Sequence, residues 1–331
     1  MSSKSTNRVL ITGVAGFIGM HTAVRFLKEG WHVLGIDNIN DYYSQSLKRD
    51  RIKNIEQLHE SKKGFFNFYE KDINSNVWDE IAHFQINAVI HLAAQAGVRY
   101  SLENPRAYLE SNILGFQSVL EFVEKQSINN FLYASSSSVY GKSSIQPFSE
   151  EQECNHPESY YAATKKANEQ MAHAMFKTKN IPSIGLRFFT VYGPWGRPDM
   201  APILFASAAQ KNRPIRVFNY GKQKRDFTYV DDIVEGIFRL TTTIDIQGAE
   251  ICNIGFGKPS NLEQFIQLIE SELSISIKKE YVEAQPGDVE ETFASTKKLE
   301  GLISYQPQNN LETGIGKFIN WFKSYYGESN R

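Results

Sequence analysis

Residues Val9 to Gly19 read VLITGVAGFIG, an apolar strand pattern that runs directly into three spaced glycines and then into a helical pattern. Gly13 permits a tight turn, Gly16 lets the backbone approach a pyrophosphate, and Gly19 lets the helix pack closely against the strand. A glycine pattern alone is weak evidence, but here it lies between the strand and the helix that such a turn requires. The stretch therefore predicts a dinucleotide-binding βα unit at the start of the chain.

The residues that follow the turn indicate which dinucleotide binds. The main-chain N–H groups of Phe17 and Ile18, at the start of the helix, are expected to meet the phosphate charge. The next apolar strand ends at Asp37, whose carboxylate can accept hydrogen bonds from ribose hydroxyls and would repel a 2′-phosphate, so NAD is favoured over NADP. Three further positions at strand ends are predicted to line the cofactor: Asp72, Ile73 and Ala93.

Strand and helix patterns alternate over the first two hundred residues. Short apolar runs rich in β-branched residues lie at Arg8 to Gly13, His32 to Asp37, Phe66 to Asp72, Ala88 to Ala94, Asn130 to Ser137 and Ile184 to Val191. Helical patterns separate these runs. The alternation predicts an α/β fold, a Rossmann-type doubly wound parallel sheet with helices on both faces.

The regular alternation of strand and helix patterns ends after Pro194, where clusters of Pro, Gly and Arg replace it. We therefore predict an NAD-binding domain at residues 1–193 and a smaller substrate-binding lobe at residues 194–331. The two are expected to interleave, because Tyr229 to Leu240 has the pattern of a helix that returns to the large domain, with residues 229–257 as the returning segment. Asn261 to Leu273 is predicted to form an amphipathic helix of the smaller lobe.

The bulk composition argues against several classes of function. The 331 residues include 36 Lys and Arg against 37 Asp and Glu, so there is no global basic field for nucleic acid, and local charges must meet any anionic ligand. Cys154 and Cys252 lie far apart, which predicts neither a disulfide framework nor a metal site and fits the reducing cytoplasm. No run approaches the roughly 18 to 20 apolar residues that span a bilayer, so we expect no membrane anchor.

Residues Tyr160 to Lys166 read YYAATKK and open a predicted helix. Tyr161 and Lys165 are four residues apart and therefore face one side of that helix. A phenol has a pKa of about 10, but an adjacent ammonium and a positively charged nicotinamide favour the phenolate and lower that pKa toward the range of a general base. Tyr160 cannot take this role, because the residue four positions on is Thr164. We therefore predict that Tyr161 and Lys165 are catalytic and also contact the cofactor.

A run of serines ends the fifth predicted strand, where Ser135 to Gly141 read SSSSVYG. Hydroxyl groups at this end of a parallel strand lie where a substrate meets the nicotinamide. Ser136 is expected to hydrogen-bond the substrate oxygen that loses its proton, and Ser137 and Ser138 are expected to lie slightly further out. The serine run thus adds a third catalytic residue, Ser136, to the Tyr and Lys of the helix.

Together these residues resemble the extended short-chain dehydrogenase/reductases, and the resemblance runs from Val9 to about Tyr326. Several stretches are more specifically similar to UDP-glucuronate 4-epimerases. They are DNINDYY (Asp37 to Tyr43), HLAAQAGVRYSLENP (His91 to Pro105), LRFFTVYGPWGRPDM (Leu186 to Met200), KRDFTYVDDIVEG (Lys224 to Gly236) and QPGDVEET (Gln285 to Thr292). Motifs of this length rarely recur by chance.

The resemblance implies a UDP-sugar substrate and roles that spacing alone does not assign. Arg225 and Asp288 are implied to hold the UDP moiety. Thr190 and Arg197 are implied to line the sugar end. The resemblance also implies a homodimer that forms through a four-helix bundle. Each protomer would contribute two helices, expected here at Pro105 to Lys125 and Ser159 to Lys177.

Two positions depart from related patterns. Nucleotide-sugar dehydratases carry an Asp-Glu pair in the serine strand and UDP-glucuronate decarboxylases carry a Glu there, whereas this chain has Ser137 and Ser138. The acid that those reactions need is therefore absent. Many relatives have Ala-Asp where this chain has Ala294 and Ser295, so we assign no contact there.

The activity that the resemblance implies is the reversible conversion of UDP-glucuronate to UDP-galacturonate through a transient 4-keto sugar. That ketone is a β-keto acid, so the site must hold the carboxylate out of the alignment that releases CO2. The groups expected to do so are Ser137, Ser138, Thr190 and Arg197. Two alternatives stay open: an epimerase of neutral UDP-glucose or its N-acetyl form, which needs no carboxylate contact, and a non-catalytic dinucleotide sensor, which would typically lack the Tyr or the Lys.

Overall fold

The structure is a computed structural model that describes residues 7–60, 64–143, 145–284 and 291–327. Its strands are β1 (Arg8–Thr12), β2 (His32–Asp37), β3 (Phe66–Glu70), β4 (Ala88–His91), β5 (Phe131–Ser136), β6 (Ser183–Phe188), β7 (Thr190–Tyr192), β8 (Ile215–Val217), β9 (Lys224–Arg225), β10 (Phe227–Tyr229), β11 (Ala249–Ile254), β12 (Ser260–Asn261), β13 (Lys279–Tyr281) and β14 (Glu291–Thr292). Its α-helices are α1 (Phe17–Lys28), α2 (Gln45–Glu60), α3 (Val77–Ile81), α4 (Tyr100–Glu103), α5 (Pro105–Tyr108), α6 (Gly115–Lys125), α7 (Tyr160–Lys179), α8 (Ala201–Gln210), α9 (Val230–Thr243), α10 (Leu262–Leu273), α11 (Lys297–Ile303) and α12 (Leu311–Gly327). A π-helical segment, Leu109–Leu114, joins α5 to α6.

The order of strands in the main sheet determines where a ligand crevice can form. Within the described ranges it consists of seven parallel strands in the order β11-β6-β5-β4-β1-β2-β3. Because β1 lies between β2 and β4, the chain winds to one side of β1 first and to the other side afterwards. In open α/β sheets a ligand crevice forms at such a reversal, at the carboxyl ends of the strands. The predicted doubly wound sheet is confirmed.

Two apolar layers cover the faces of this sheet, because side chains alternate along each strand. On β1, Val9 and Ile11 belong to the layer that α1 and α9 cover. Leu10 projects to the opposite layer, where Phe116 and Leu120 of α6 pack. Burial on both faces explains why β1 reads as an uninterrupted apolar run rather than an alternating one.

Several strands are shorter than the apolar runs predict. β1, β3, β4 and β5 end one to three residues early, and their following residues turn into the crevice. The predicted strand Ile184 to Val191 is wrong in its last part, because β6 ends at Phe188 and Thr190–Tyr192 pair with β10 in a separate sheet. The partners change at this point: the Phe189 N–H donates to the Ile254 carbonyl at 3.2 Å, whereas the Thr190 N–H donates to the Asp226 carbonyl at 3.1 Å.

The second half of the chain contributes to both sides of the crevice. β11 pairs with β6 in the main sheet, and α9 packs against α1. α10 begins after Asn261, whose side chain accepts the Glu263 N–H at 2.8 Å and caps the helix. The domain boundary at residue 193 and the return at 229–257 remain predictions. None of the described helices has both the length and the apolar composition to cross a membrane.

Candidate active site

One cavity of about 1440 Å³ opens at the carboxyl ends of the strands. Its lining includes every predicted site residue that the structure describes: Gly13, Gly16, Phe17, Ile18, Gly19, Asp37, Asp72, Ile73, Ala93, Ser136, Ser137, Ser138, Tyr161, Lys165, Thr190, Arg197 and Arg225. Asp288 lies outside the described residues. Residues from eight separate stretches of sequence therefore meet around one space, which is consistent with the predicted site.

The glycine turn forms the cofactor end of the cavity. Gly13 has φ +72°, and a Cβ atom there would lie 2.6 Å from the Ala93 nitrogen. A Cβ atom at Gly16 would lie 2.8 Å from the Gly13 carbonyl oxygen, and α1 begins directly afterwards with no side-chain cap. A helix start without a side-chain cap presents its first N–H groups to a ligand. These residues fit the pyrophosphate of a dinucleotide, since a side chain at either glycine would clash with the backbone that shapes the turn.

Asp37 lies at the end of β2 beside this turn. Its Oδ2 accepts the Ala15 N–H at 3.0 Å and its Oδ1 accepts the Ile39 N–H at 2.9 Å. Burial raises the pKa of the Asp37 carboxyl, although these hydrogen bonds and the nearby Lys48 ammonium oppose the shift. A carboxylate has about four acceptor sites, so Asp37 can still accept hydrogen bonds from a ribose.

Tyr161 and Ser136 form the centre of the cavity. Burial raises the pKa of Tyr161, and the hydrogen bond with Ser136 and the charge of Arg197 oppose this shift. The predicted lowering of the Tyr161 pKa by Lys165 and a positively charged nicotinamide stays a prediction; in the protein alone, desolvation outweighs the favourable groups. Ser136 Oγ also accepts from the Ser138 hydroxyl at 2.9 Å and from the Ser138 N–H at 3.2 Å, contacts that the sequence did not predict.

Lys165 is almost completely buried one helical turn beyond Tyr161. Its Nζ donates to the Ala134 carbonyl of β5 at 2.9 Å, and burial lowers its pKa to about 8. Tyr160, in contrast, is exposed and does not line the cavity. The helical spacing therefore directs Tyr161, rather than Tyr160, toward Ser136.

Asn112, in the π-helical segment, fixes α7 against the loop after β4, which contains Gln95. Its side chain accepts the Gln95 N–H at 2.8 Å and donates to the Thr164 hydroxyl at 3.0 Å. The Asn168 amide donates to the Asn112 carbonyl at 2.6 Å. Such π-helical segments occur frequently at functional sites. Sequence reasoning missed Asn112, because its partners lie up to 56 residues away along the chain.

A buried ion pair holds α7 on the other side. Arg187 of β6 donates to both carboxylate oxygens of Glu169 at 2.8 Å, and the Ser135 hydroxyl donates to the same carboxylate at 2.7 Å. The guanidinium carbon of Arg187 also lies 4.6 Å from the centre of the Tyr140 ring. Removing one partner of such a pair leaves an uncompensated buried charge. Ser135 thus supports the helix, whereas Ser136 faces the cavity.

Arg197, which is predicted to line the sugar, lies in the cavity and has a protein partner. Its Nε and Nη2 donate to the Asp199 carboxylate at 3.1 and 2.5 Å, and the Tyr42 hydroxyl donates to Asp199 at 3.2 Å. Burial and the Asp199 charge raise the pKa of Tyr42 to about 12. The sequence indicated Arg197 but missed Asp199 and Tyr42, although both lie in motifs quoted above. The carboxylate of Asp199 therefore partly neutralises the positive charge of Arg197.

Several cations line the cavity in addition to Arg197. Arg99 from the loop after β4 and Arg216 of β8 lie 5.0 and 5.6 Å from the centre of the Phe218 ring, which joins the two sides of the crevice. Lys211, Arg213 and Arg225 line the same cavity. A diphosphate is the ligand that such a cluster favours. Of these residues only Arg225 was predicted.

Asp226, next to Arg225, has a structural role. It is completely buried and accepts hydrogen bonds from the N–H groups of Phe256, Gly257 and Ala294 and from the Thr228 hydroxyl. A carboxylate with this many donors ties three segments together. It therefore fixes the strand β9 that presents Arg225 to the cavity.

Comparisons with known proteins agree with this geometry. The model of the family described as NAD dependent epimerase/dehydratase matches residues 9–255. Protein CapI of Staphylococcus aureus is 45% identical over 96% of this chain and 99% of its own length. A probable UDP-glucuronate 4-epimerase of Rhizobium meliloti (strain 1021) is 39% identical over 96% of this chain and 98% of its own length. The crystal structure of UDP-glucuronic acid 4-epimerase from Bacillus cereus in complex with UDP-glucuronic acid and NAD superposes with a TM-score of 0.89, at 34% identity, over 96% of this chain and 100% of that chain.

The family match covers more than half of the chain, and the relatives align over nearly their whole lengths. The matched segment begins at the glycine turn and includes Ser136, Tyr161 and Lys165. The chain therefore belongs to the NAD dependent epimerase/dehydratase family.

Proposed function

We propose that this protein catalyses the reversible 4-epimerisation of UDP-glucuronate to UDP-galacturonate. The observation that carries the proposal is that Ser136, Tyr161 and Lys165 line the same cavity as the glycine turn and several Arg and Lys side chains. The relatives that are similar over their whole lengths and are named for this activity support the same substrate.

Tyr161 is the acid and base of the reaction. Its phenolate takes the proton of the sugar 4-hydroxyl, and the hydroxyl so formed later returns a proton to the same oxygen, while Ser136 hydrogen-bonds that oxygen and positions it. Bound NAD supplies the acceptor and donor of the hydride at C4, together with a positive ring. Burial raises the pKa of Tyr161 in the protein, so this positive ring and the Lys165 ammonium are needed to favour the phenolate.

The sugar must present its opposite face before the hydride returns. A cavity of about 1440 Å³ leaves room for the sugar to turn about its link to the diphosphate while the cations hold the UDP moiety. During this turn Ser137, Ser138, Thr190 and Arg197 hold the carboxylate and limit the loss of CO2 from the 4-keto acid. The absence of a carboxylic acid at Ser137 and Ser138 also fits an epimerase better than a decarboxylase.

A second candidate is an epimerase of neutral UDP-sugars. The observation that favours it is the ion pair between Arg197 and Asp199, because a neutralised guanidinium attracts a substrate carboxylate less strongly. A guanidinium carries five N–H groups, however, so Asp199 does not exhaust the donors of Arg197. We therefore prefer the uronate substrate.

We further propose that the protein is a cytoplasmic homodimer. The helix from Pro105 to Lys125 packs against α7, and its exposed side chains include Leu109 and Leu114. Apolar side chains at the surface of a helix pair fit a four-helix bundle with a second copy. Both cysteines are buried free thiols, which fits a reducing compartment.

Product analysis tests the proposal directly. The purified protein is incubated separately with UDP-glucuronate, UDP-glucose and UDP-N-acetylglucosamine, and the products are identified by NMR. We expect UDP-galacturonate from the first substrate and much slower conversion of the other two. Equal turnover of UDP-glucose would favour the neutral-sugar epimerase, and no turnover of any UDP-sugar would favour a dinucleotide sensor.

A further inference from the structure

The loop that carries Arg197 has an unusual backbone. It leaves β7 through Gly193 at φ +148° and continues to Trp195 at φ +61°, in the left-handed region that non-glycine residues rarely adopt. The Trp195 ring packs against Trp321 and Tyr325 of α12, at centroid distances of 5.5 and 5.1 Å. A residue in such a conformation persists only where its surroundings hold it. The contacts of this loop with neighbouring elements therefore stabilise its conformation.

Arg51 of α2 holds the loop through its main-chain carbonyls. This side chain is completely buried. Its Nε and Nη2 donate to the Trp195 carbonyl at 3.1 and 2.7 Å, and Nη2 also donates to the Gly196 carbonyl at 3.1 Å. On its other side, Nη1 donates to the Ala15 carbonyl at 2.9 Å and to the Tyr43 hydroxyl at 2.6 Å. One guanidinium thus joins the glycine turn to the residues just before Arg197.

The contacts of Arg51 with the glycine turn and the loop require a guanidinium group. A buried cation is costly unless its N–H groups are all hydrogen-bonded, and its acceptors here are three carbonyls and a phenol. The rigid planar fork of a guanidinium fixes the relative positions of the acceptors that it joins, which the single ammonium of Lys cannot do. The positions of Ala15, Trp195 and Gly196 are therefore tied to one another.

The same network reaches a predicted cofactor residue. The N–H group of Ala15 donates to Asp37, while its carbonyl accepts from Arg51. A continuous chain of hydrogen bonds and peptide groups therefore runs from Asp37 through Ala15 and Arg51 to Gly196, which directly precedes Arg197. This chain connects the cofactor end of the cavity to the sugar end.

A second contact holds the loop from α1. The half-buried ring of His21 places Nε2 2.9 Å from the Pro194 carbonyl, and Nε2 must carry the proton because a carbonyl can only accept. Three successive carbonyls, those of Pro194, Trp195 and Gly196, therefore bind to donors from the dinucleotide-binding half of the chain.

We propose that Arg51, assisted by His21, is a positioning residue that sets Arg197 relative to the glycine turn, so that cofactor binding organises the sugar-binding loop. The proposal rests on the proposed function for the identity of the sugar. Because binding free energies are linked, the effect is reciprocal: NAD strengthens the binding of the UDP-sugar, and the UDP-sugar strengthens the binding of NAD by the same factor.

The test compares Arg51→Lys with a matched control, Arg49→Lys, on the same helix. Arg49 is exposed and pairs with Glu70, so the control makes the same chemical change away from the loop. Hydrogen–deuterium exchange of residues 193–199 is measured with and without NAD, and steady-state kinetics are measured with UDP-glucuronate. We expect NAD to slow exchange of this segment in the wild type and in Arg49→Lys, but not in Arg51→Lys. We also expect Arg51→Lys to raise KM about tenfold, the loss typical of a charged hydrogen bond, with a smaller change in kcat.

The outcomes separate this inference from the proposed function. If the wild type does not convert UDP-glucuronate, the proposed function fails, and the exchange experiment still decides the inference. If Arg51→Lys shows the exchange and the KM of the wild type, the inference is overturned.

Should Arg51→Lys not fold, His21→Leu and His21→Gln decide instead. The Leu variant lacks the donor to Pro194 and is expected to speed exchange of residues 193–199. A Gln amide reaches the position of Nε2 and is expected to restore slow exchange. Fast exchange in neither variant, or equally fast exchange in both, would overturn the inference.

Discussion

Replacing Arg197 with Ala tests whether the sugar end recognises a carboxylate. The structure gives Arg197 two hydrogen bonds to Asp199, at 3.1 and 2.5 Å, and retains guanidinium donors for the substrate. A charged hydrogen bond contributes about 1.5 to 3 kcal/mol, and about 1.4 kcal/mol corresponds to a factor of ten. We therefore expect kcat/KM for UDP-glucuronate to fall about ten- to hundredfold, with a smaller loss for UDP-glucose.

Asp199 contributes to the expected loss of kcat/KM, because Arg197→Ala leaves its carboxylate unpaired beside the substrate. Two like charges about 4 Å apart repel each other by about 1 kcal/mol in bulk water and by more near a protein surface. The double variant Arg197→Ala with Asp199→Asn removes this repulsion. It is expected to recover about fivefold or more of the lost kcat/KM for UDP-glucuronate, and no comparable factor for UDP-glucose.

The assay is steady-state kinetics on both substrates, with NMR analysis of the products of UDP-glucuronate. Loosened geometry in Arg197→Ala should also raise the fraction of a UDP-pentose, which forms when the 4-keto acid loses CO2. The reasoning is refuted if the single variant affects both substrates equally, or if the double variant is no better than the single variant with UDP-glucuronate.

Three further predictions concern the catalytic, cofactor and buried groups. Tyr161→Phe should retain NAD and the fold but lose about 10² to 10⁴-fold in turnover, whereas Tyr160→Phe, at an exposed position, should be nearly normal; comparable activity of the two variants would contradict the assignment. Asp37→Ala should weaken the preference for NAD over NADP in a binding titration, and tight binding of NADP by the wild type would show that Asp37 does not select the cofactor. Burial lowers the pKa of His91 to about 3, so the unfolded chain binds a proton below its ordinary pKa of 6.5 that the folded chain does not bind, and stability falls as the pH falls from 6.5 toward 3. In urea unfolding, His91→Asn should reduce this pH dependence by about 1.4 kcal/mol per pH unit, and parallel profiles for the two proteins would disprove the role of His91.

Features that depend on local spacing were predictable from the sequence. The glycine turn was placed correctly, because strand, turn and helix are adjacent in the chain and Gly13 must adopt a positive φ there. Tyr161 was preferred over Tyr160 because helical periodicity alone decides which of two neighbours shares a face with Lys165. The doubly wound sheet followed from the alternation of strand and helix patterns.

Features that depend on long-range packing were not predictable in this way. The strand that ends at Phe188 was predicted to continue to Val191. The change of hydrogen-bond partner after Phe188 depends on Ile254 and Asp226, which are distant in sequence. The burial that raises the pKa of Tyr161 in the protein alone was not anticipated either. Local sequence contains no measure of how far a side chain is removed from water.

By itself, the sequence determined the glycine turn, the placement of Tyr161 and Lys165 on one helix face and the fold class, because each follows from the local geometry or the order of helices, strands and turns. Only the tertiary structure decided that Arg197 shares its charge with Asp199 and that Arg51 reaches Trp195, 144 residues away. The physical reason is that a buried charge takes whichever partners the packed elements bring within hydrogen-bonding distance, and those partners are set by the fold rather than by neighbours in the chain.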